Sequence, residues 1–549
     1  MLYYFAMNFL RTRIRLLLFL IGIGAAVWAV SRLPSLWKPM PDLRSDANNV
    51  IVLIPDGCSQ SMATLTRWCR GGPLALDLIQ SGAVRTHSAD SLVTDSAAAA
   101  TALACGVKTD NGSLGVAPAP DAPFRPADLT YAPGQPIATV LEGAKRSGRS
   151  VGLVVTVDVW DATPAGFVAH TASRKSDAVI REQMLYQDLD VVFGGGREML
   201  RPSSGATNES PQRVLQAHGV RIVTTAAEME GVSTGKVWGL FAPNDLAPEI
   251  DRAAIAPEEP SLAQMTAKAL ALLKQNRHGF FLLVEGSQVD RAAHANDPAR
   301  AMHDFQAFDD AVAVAMAFAS GEGRGRTLVI ACPDHDTGGL TIGQRTRTPR
   351  SAANLTAPLA GMQLSAKALA AKIGADQSVA NIMAHVDAWW SIRLTTDEAS
   401  EIASRAAGLG LERALDEVVS RQHTAIGWTS FGHTGVDVPL WSYGPGRPVG
   451  LIDNTDVAHA MAHALQLDLP ALTRTLFVDA LQAFPSARVD TADPAHPVLV
   501  VGTARLPINR NLLLRNGREE RLDGLVVLSE STGRVYLPQS AVDRLRAEK

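Results

Sequence analysis

Short apolar runs alternate with longer, alanine-rich stretches along most of the chain. The clearest runs cover residues 50–54, 151–155, 191–193, 280–284, 327–331 and 438–443. They are continuous runs of β-branched and aliphatic residues, as in strands that are buried on both faces of a sheet. Between them, stretches such as 261–274 and 299–318 repeat apolar residues at helical spacing. This alternation predicts an α/β fold with a large, mostly parallel central sheet flanked by helices.

Four of the predicted strands are followed closely by side chains that bind metal ions. In chain order these are Asp56; Asp161 and Thr163; Glu285, Asp290 and His294; and Asp334 and His335. The carboxyl ends of parallel strands meet at one edge of a sheet, where ligands bind. A single aspartate at a strand end is also common in turns and helix caps, so the prediction depends on the coincidence of all four. The sequence therefore predicts a site for several metal ions at this edge.

The spacing of these residues indicates which ions they suit. Asp290 and His294 are four residues apart, so on a helix or tight turn both side chains face one way and can bind the same ion. Mixed aspartate and histidine ligands suit zinc. Oxygen-only groups suit magnesium, and the candidates are Asp56, Thr163 and Glu285. His433, in a glycine-flanked loop before the run at 438–443, is the remaining candidate imidazole, although a single histidine in such a loop is more often an ordinary loop residue.

Ser96 is the candidate nucleophile. It precedes a run of alanines with high helix propensity, so it lies where a helix begins. A serine at a helix N-terminus beside divalent cations can ionise without a histidine base. The alternative is that Ser96 or Asp95 only caps the helix. The Gly-x-Ser-x-Gly elbow is absent around Ser96, which disfavours an α/β-hydrolase.

Composition narrows the function classes further. The chain has 549 residues, 46% of them hydrophobic, with a net charge of −4. The hydrophobic fraction, together with only 19% charged residues, excludes a disordered chain. The net charge argues against a nucleic acid as a specific partner. Four cysteines in a chain of this length do not make a disulfide scaffold. Buried thiols are favoured over a cysteine-ligated zinc, because Cys58, Cys69, Cys105 and Cys332 lack Cys-x-x-Cys spacing.

The N-terminus predicts export. Arg11, Arg13 and Arg15 precede residues 16–30, which carry no charge. A basic segment followed by an apolar run of this length is typical of a secretory signal, and it is short for a membrane-spanning helix. The residues around Ala29 match a cleavage site only loosely, so a cleaved signal peptide and an uncleaved membrane anchor are both open. We expect a periplasmic or extracellular protein, with possible membrane attachment through this segment.

Assembled in order, these segments resemble the alkaline phosphatase family. The matching motifs lie at residues 49–57, 94–98, 106–109, 161–174, 193–196, 284–294, 333–339 and 432–435. Each motif is weak alone, but together they are collinear over most of the chain. The resemblance implies a phosphomonoesterase that hydrolyses phosphate monoesters to alcohol and inorganic phosphate through a phosphoserine at Ser96. It also implies a homodimer.

The resemblance further implies two zinc ions, one magnesium ion and a role for each candidate. One zinc ion would be held by Asp290, His294 and His433. The second would be held by Asp56, Asp334 and His335, joined by Ser96. Magnesium would be held by Asp56, Thr163 and Glu285, with Asp161 binding directly or through water. Arg174 would grip the phosphate, a task suited to its planar guanidinium group.

Three positions depart from the family pattern or leave a choice open. Cys58-Ser59 stands where relatives usually have Met-Gly, which leaves the start of the following helix uncertain. Arg291 stands where they often have Lys or His; it can influence the bound phosphate, and it leaves the identity of the third metal open. Asp336 either supports the zinc ligands or is a solvated turn residue.

The remaining segments predict the domain organisation. Residues 1–46 are a signal peptide or membrane anchor plus linker, and residues 47–484 form the catalytic domain, with a helical insertion at about 345–430. Residues 485–549 are a linker and a small β-rich extension, in which Asn516-Gly517 and Thr532-Gly533 are hairpin turns.

Two kinds of alternative function remain. One is another hydrolase of the same superfamily, such as a phosphodiesterase or a sulfatase; Ser96 and Arg174 favour monoesters, and the signature of a formylglycine sulfatase is absent. The other is a non-catalytic zinc- or phosphate-binding protein. The presence of the nucleophile, the arginine and both metal triads together disfavours it.

Overall fold

The computed structural model describes residues 47–201, 210–343 and 357–547. The predicted leader lies outside these residues. Within them, no helix combines the length and the apolar character that crossing a membrane requires.

Twenty-two strands are present in the described residues. They are β1 (Asn49–Ile54), β2 (Gln80–Arg85), β3 (Ser150–Asp158), β4 (Val191–Gly195), β5 (Val220–Val223), β6 (Lys236–Leu240), β7 (Phe280–Glu285), β8 (Thr327–Ala331), β9 (Asp336–Thr337), β10 (Thr341–Ile342), β11 (Ile426–Gly427), β12 (His433–Thr434), β13 (Val438–Tyr443), β14 (Gly450–Asp453), β15 (Val478–Asp479), β16 (Arg488–Asp490), β17 (Val498–Val501), β18 (Ala504–Pro507), β19 (Leu512–Arg515), β20 (Arg518–Arg521), β21 (Val527–Leu528) and β22 (Val535–Leu537).

The α-helices alternate with these strands. They are α1 (Gln60–Arg70), α2 (Ser96–Cys105), α3 (Val140–Arg146), α4 (Ala162–Ala165), α5 (Asp177–Tyr186), α6 (Pro211–Ala217), α7 (Ala226–Glu230), α8 (Glu249–Ile255), α9 (Leu262–Leu273), α10 (Gln288–Ala295), α11 (Pro298–Ser320), α12 (Ala366–Ile373), α13 (Val379–Trp390), α14 (Thr396–Leu409), α15 (Leu411–His423), α16 (Asn454–Ala464), α17 (Leu469–Leu476), α18 (Ala480–Ala483) and α19 (Gln539–Arg546).

The central sheet has ten strands in the order β14-β2-β13-β8-β1-β7-β3-β4-β6-β5. Every neighbouring pair is parallel except those that β13 forms with β2 and β8. The prediction of a mostly parallel sheet is therefore confirmed, and the run at 438–443 forms the one antiparallel strand of this sheet, β13. A continuous apolar run indicates burial on both faces and carries no information about strand direction.

The sheet is covered on both faces, and its central strands are apolar along most of their length, on both sides of the strand. In β1, Ile51 and Leu53 pack into one hydrophobic cluster, while Val50 and Val52 pack into the other. The same alternation holds in β7, where Phe280 and Phe281 belong to different clusters. Burying a side chain of this size stabilises a fold by about 1.5–3 kcal/mol, so these strands hold the sheet edge in place.

The four strands that carry the candidate ligands are neighbours. The order β8-β1-β7-β3 is contiguous and parallel throughout, so their carboxyl ends form one continuous edge. Directly after β1, Gly57 has a φ of 68°, and a Cβ built there would lie 2.5 Å from Asp290 Oδ1. Only glycine allows the chain to turn this close to the helix that follows β7.

The predicted helical insertion contains α12 to α15. Side chains such as Leu369, Ile382 and Val418 join the same hydrophobic cluster as one face of the central sheet. Trp390 is buried and donates from its indole nitrogen to the carbonyl of Leu364 at 2.8 Å. This tryptophan therefore serves in packing, as a buried indole with a satisfied N–H does.

The C-terminal residues form small antiparallel sheets with their own hydrophobic cluster. Asn516 and Gly517, with φ values of 52° and 73°, connect β19 to β20 as the predicted hairpin turn. Residues 484–497, which the sequence predicts as a linker, contain the short strand β16, and α19 is the last element of the described residues. An ion pair of 2.7 Å between Arg510 and Glu182 links this part to α5.

Candidate active site

The first predicted zinc triad comes together at the end of α10. Asp290 and His294 share one side of this helix, and His294 Nε2 lies 3.4 Å from Asp290 Oδ2. His433, in β12, places its Nε2 atom 3.9 Å from Asp290 Oδ1. One ligand atom from each of the three residues lies within 4.8 Å of the others. Helical i, i+4 spacing and the pairing of β12 with β9 thus bring distant residues to one point.

Hydrogen bonds to the backbone fix the tautomers of these two histidines. His294 Nδ1 lies 2.6 Å from the carbonyl oxygen of Phe431, and His433 Nδ1 lies 2.9 Å from that of Thr94. A carbonyl oxygen only accepts, so each Nδ1 carries the proton and each Nε2 presents a lone pair. The two Nε2 atoms are only 3.2 Å apart. Lone pairs at this distance repel each other unless a cation binds both, so the donor set fits a divalent ion such as zinc.

The second predicted triad surrounds His335. Its Nε2 atom lies 3.2 Å from Asp334 Oδ2 and 3.7 Å from Asp56 Oδ1. Asp334 Oδ1 accepts from the backbone N–H groups of Gly57 and His335, which leaves Oδ2 for another partner. Neither Asp334 Oδ2 nor Asp56 Oδ1 has a hydrogen-bond partner among the described residues. Asp290 lies within ligand range of Asp56 and His335 as well, so it borders both clusters.

Burial and mutual repulsion perturb the pKa values of this cluster. Burial, followed by the charges of Asp334 and Asp290, raises the pKa of Asp56 well above its usual value. Burial and Asp290 raise the pKa of Asp334 to about 6. Burial, followed by His433, lowers the pKa of His335 well below its usual value. Bound cations would offset this repulsion and favour the ionised carboxylates, which is a second reason that the site suits metals.

The predicted magnesium ligands form an oxygen-only group beside the second triad. Glu285 ends β7 and is buried, and Thr163 lies in the first turn of α4. Thr163 Oγ1, Glu285 Oε2 and Asp56 Oδ1 all lack a hydrogen-bond partner among the described residues. Buried oxygens are rarely left unpaired, and oxygen ligands are what magnesium prefers.

Ser96 is the first residue of α2, and its hydroxyl faces the second triad. Asp95 is the N-cap residue, and its Oδ1 accepts from the backbone N–H of Ala98 at 3.0 Å. The capping role that the sequence left open therefore belongs to Asp95. Ser96 is buried, and its Oγ lies 3.1 Å from His335 Nε2. The partial positive charge at the helix N-terminus favours an ionised oxygen at this position.

Both predicted substrate-binding arginines are held by Asp161. Its Oδ1 accepts from Arg174 Nη2 at 3.1 Å, and its Oδ2 accepts from Arg291 Nη2 at 2.7 Å. Arg174 also donates from Nη1 to Asp95 Oδ2 at 3.3 Å, so carboxylates hold both ends of its guanidinium group next to Ser96. Both carboxylate oxygens of Asp161 are therefore engaged by arginines.

Sequence reasoning missed two residues that position the site, Thr337 and Asp245, and it missed a second role of Asp95. Asp95 orients Arg174 as well as capping α2, and its position before Ser96 was the only signal. Thr337 donates from Oγ1 to Asp290 Oδ1 at 2.6 Å and lies 3.3 Å from His335 Nδ1. Asp245 accepts from Arg291 Nε at 3.3 Å, and no motif marks it.

Asp336 and the cysteines are also accounted for. Asp336 is buried and accepts from the hydroxyl of Thr434 at 2.6 Å. It therefore holds the strand that carries His433 and is not a solvated turn residue.

All four cysteines are free, and only Cys69 is partly exposed. Among the described residues, the groups that could hold a metal contain no cysteine.

A family model described as alkaline phosphatase matches residues 47–467. The chain belongs to the alkaline phosphatase family. Alkaline phosphatase 4 of Bacillus subtilis (strain 168) is 34% identical over 447 residues, which are 77% of this chain and 90% of that protein. The repressible alkaline phosphatase of Saccharomyces cerevisiae is 32% identical over 484 residues, covering 77% of this chain and 82% of the relative.

Solved alkaline phosphatases share the fold. The cold-active enzyme from Shewanella sp. has a TM-score of 0.66 at 33% identity and covers 76% of this chain and 99% of its own. The Thermus thermophilus enzyme has a TM-score of 0.67 at 29% identity, and the match covers 78% of this chain and 93% of that enzyme. The chain is therefore a phosphomonoesterase of a metal-dependent family that acts on phosphate monoesters. The predictions of fold, family and reaction are confirmed.

Proposed function

We propose that this alkaline phosphatase uses Ser96 as its nucleophile and holds two zinc ions and one magnesium ion at the sheet edge. The first zinc ligands are Asp290, His294 and His433. The second set is Asp56, Asp334 and His335, and the magnesium set is Asp56, Thr163 and Glu285. The observation that carries the proposal is the buried Ser96 hydroxyl, 3.1 Å from His335 Nε2, at the N-terminus of α2.

The reaction follows from the positions of these side chains. When bound, the cations supply Lewis acidity that favours the ionised serine and the departing alkoxide. Ser96 Oγ forms a bond to phosphorus and the ester P–O bond breaks, so the alcohol leaves with the proton that the serine hydroxyl gave up. Water then attacks the phosphoserine, which restores Ser96 and yields inorganic phosphate.

Arg174 binds the phosphate during both steps. Its planar guanidinium group suits two phosphate oxygens at once, and its contacts with Asp95 and Asp161 hold it in one orientation. Such preorganisation lowers the barrier because the group does not have to be ordered during the reaction. Arg291, held by Asp161 and Asp245, is the second positive charge near the phosphate.

A direct assay separates this proposal from a phosphodiesterase of the same superfamily. We expect p-nitrophenyl phosphate to be hydrolysed with a kcat/KM at least about 100-fold above that of bis-p-nitrophenyl phosphate, because Arg174 binds oxygens that a diester blocks with its second ester group. A chelator should abolish the activity, and zinc with magnesium should restore it. Faster hydrolysis of the diester would contradict the proposal, and phosphate binding without turnover of either ester would indicate a non-catalytic binding protein.

We also propose that the protein is exported, on the basis of its basic and apolar N-terminal segment. In a bacterial host, the full chain should appear in the periplasm or medium, or on the outer side of the inner membrane. Fractionation with a cytoplasmic marker as control checks this, and activity confined to the cytoplasm would contradict it. The mass of the mature chain distinguishes a cleaved signal from an anchor. The homodimer stays a prediction.

A further inference from the structure

We propose that Asn111 is a positioning residue, which acts through Asp95 to hold Arg174 in the orientation that binds the phosphate. The inference rests on the proposed function, because Asn111 has this task only if Arg174 binds the phosphate. Asn111 follows directly on the motif at residues 106–109. Its side chain and the turn that carries it contact both partners of the Asp95–Arg174 ion pair.

Asn111 and Gly112 are the central residues of a tight turn. The backbone N–H of Ser113 donates to the carbonyl oxygen of Asp110 at 3.0 Å, and Gly112 has a φ of 85°. A positive φ at the third position of such a turn suits glycine. The backbone N–H of Asn111 donates to Asp90 Oδ1 at 2.9 Å. The backbone from which the Asn111 side chain extends is therefore fixed.

The amide group of Asn111 holds the loop before Ser96 at two points. Its Oδ1 atom accepts from the backbone N–H of Asp95 at 3.0 Å, and its Nδ2 atom donates to the carbonyl oxygen of Val93 at 2.9 Å. Asp95 Oδ2 in turn accepts from Arg174 Nη1 at 3.3 Å. The amide thus fixes the backbone from which the Asp95 carboxylate reaches the arginine.

The same turn also contacts the segment that carries Arg174. The carbonyl oxygen of Gly112 accepts from the backbone N–H of Arg174 at 2.6 Å, and the N–H of Gly112 donates to Asp95 Oδ1 at 3.0 Å. Two residues further on, Leu114 pairs with Thr171 through two hydrogen bonds of 2.9 Å. One turn therefore fixes both partners of an ion pair whose residues are 79 positions apart.

The exposure of Asn111 separates its effect on binding from its effect on folding. Asn111 is exposed, so water can replace the hydrogen bonds of its amide when the side chain is removed, and the loss of stability should be small. Water does not reproduce a fixed spacing between Asp95 and Arg174. Small displacements of a group that binds the reacting phosphate reduce the rate strongly. Removal of the amide should therefore impair phosphate binding more than folding.

The test is a double-mutant cycle of Asn111→Ala and Arg174→Ala in the enzyme loaded with zinc and magnesium. We expect Asn111→Ala to lower kcat/KM for p-nitrophenyl phosphate about 20-fold and to raise the inhibition constant of inorganic phosphate about tenfold. In the Arg174→Ala background the same change should lower kcat/KM less than about twofold, because no guanidinium group is left to orient. Asn111→Gln, which keeps the amide but moves it by one methylene group, should show the same dependence on Arg174.

Asn276→Ala is the matched control. Asn276 Nδ2 donates to the carbonyl oxygen of Gly148 at 2.9 Å and to Ser150 Oγ at 3.1 Å, and its Oδ1 accepts from the backbone N–H of His278 at 2.9 Å. Ser150 begins β3, so this amide holds backbone at the end of the strand opposite to the candidate site. The control should change the melting temperature about as much as Asn111→Ala and keep the kcat/KM of the wild type.

The outcomes separate the inference from the proposed function. Unchanged kinetics in Asn111→Ala, an equal loss of kcat/KM with and without Arg174, or an equal loss in Asn276→Ala would each overturn the inference and leave the proposed function standing. Full activity of Arg174→Ala would instead contradict the proposed role of Arg174 in phosphate binding, and the inference would fail with it.

Discussion

Replacing Ser96 by alanine is expected to lower kcat for p-nitrophenyl phosphate by about 10⁴ to 10⁶, the range found when a covalent nucleophile is removed. The substitution removes the hydroxyl that lies 3.1 Å from His335 Nε2 and that, in our proposal, forms the bond to phosphorus. It should also abolish ³²P labelling of the protein by a labelled substrate in acid-quenched samples. The phosphate site itself should remain, because Arg174 is held by Asp95 and Asp161 and does not contact Ser96 through any described hydrogen bond.

The control for this variant is a second hydroxyl at a helix N-terminus. Ser261 caps α9 through a hydrogen bond to Gln264, and it belongs to no candidate cluster. Ser261→Ala should lose about 1 kcal/mol of stability and keep full activity and labelling. Persistent labelling of Ser96→Ala, mapped to another residue, would show that the nucleophile lies elsewhere. A melting temperature of Ser96→Ala close to that of the wild type excludes unfolding as the cause of inactivity.

The position of the site could be predicted from the sequence because it follows from two local signals. Continuous apolar runs mark strands buried on both faces, and the residue after each run is fixed to the end of its strand. Asp56 and Asp334 therefore had to lie at one edge once β1 and β8 were assigned as parallel neighbours. The i, i+4 spacing of Asp290 and His294 likewise predicted that both side chains lie on one side of a helix, as they do on α10.

The contacts that orient the site could not be predicted in this way. Asp245 and Arg291 are 46 residues apart, and Asp95 and Arg174 are 79 apart. Such pairs depend on how loops and side chains pack, and the spacing of apolar residues in the sequence carries no information about that packing.

Strands β2 and β14 were missed because neither contains a continuous apolar run. Both lie toward one side of the sheet and expose polar or glycine positions.

Metal removal is expected to have the second large effect, on stability as well as activity. Chelation should lower the melting temperature by about 10 °C or more, because several tightly bound ions each contribute several kcal/mol to the folded state. The decrease in melting temperature caused by chelation should become larger as the pH rises. Burial and neighbouring carboxylates raise the pKa values of Asp56 and Glu285, so without metal the folded state holds protons that the unfolded chain has released. Stability then falls as pH rises.

This decrease in the stability of the chelated protein with rising pH is clearest above pH 6.5. Below it, His335 acts in the opposite sense: its pKa is lowered in the fold, so folding releases a proton from an imidazole that is charged in the unfolded chain. That contribution is complete near the ordinary histidine pKa of about 6.5. Between pH 6.5 and 8.5 the raised carboxylates of the metal clusters distinguish the two forms, because a group outside the clusters such as Lys145, whose pKa burial lowers to about 8, acts alike in both. The melting temperature of the chelated protein should therefore decrease relative to that of the metal-loaded protein.

Asp56→Asn tests the origin of this effect. It removes the carboxylate that borders the second zinc set and the magnesium set, so activity should fall by at least about 10³ and the stabilisation by added metal should shrink. In the chelated form the same variant should lose part of the decline with pH, since one of the repelling carboxylates is gone. Asp304→Asn is the matched control: burial raises the pKa of Asp304 to about 7, but it lies outside the metal clusters. It should shift the chelated and loaded melting temperatures alike, and a decline with pH in Asp56→Asn as steep as in the wild type would show that another group causes it.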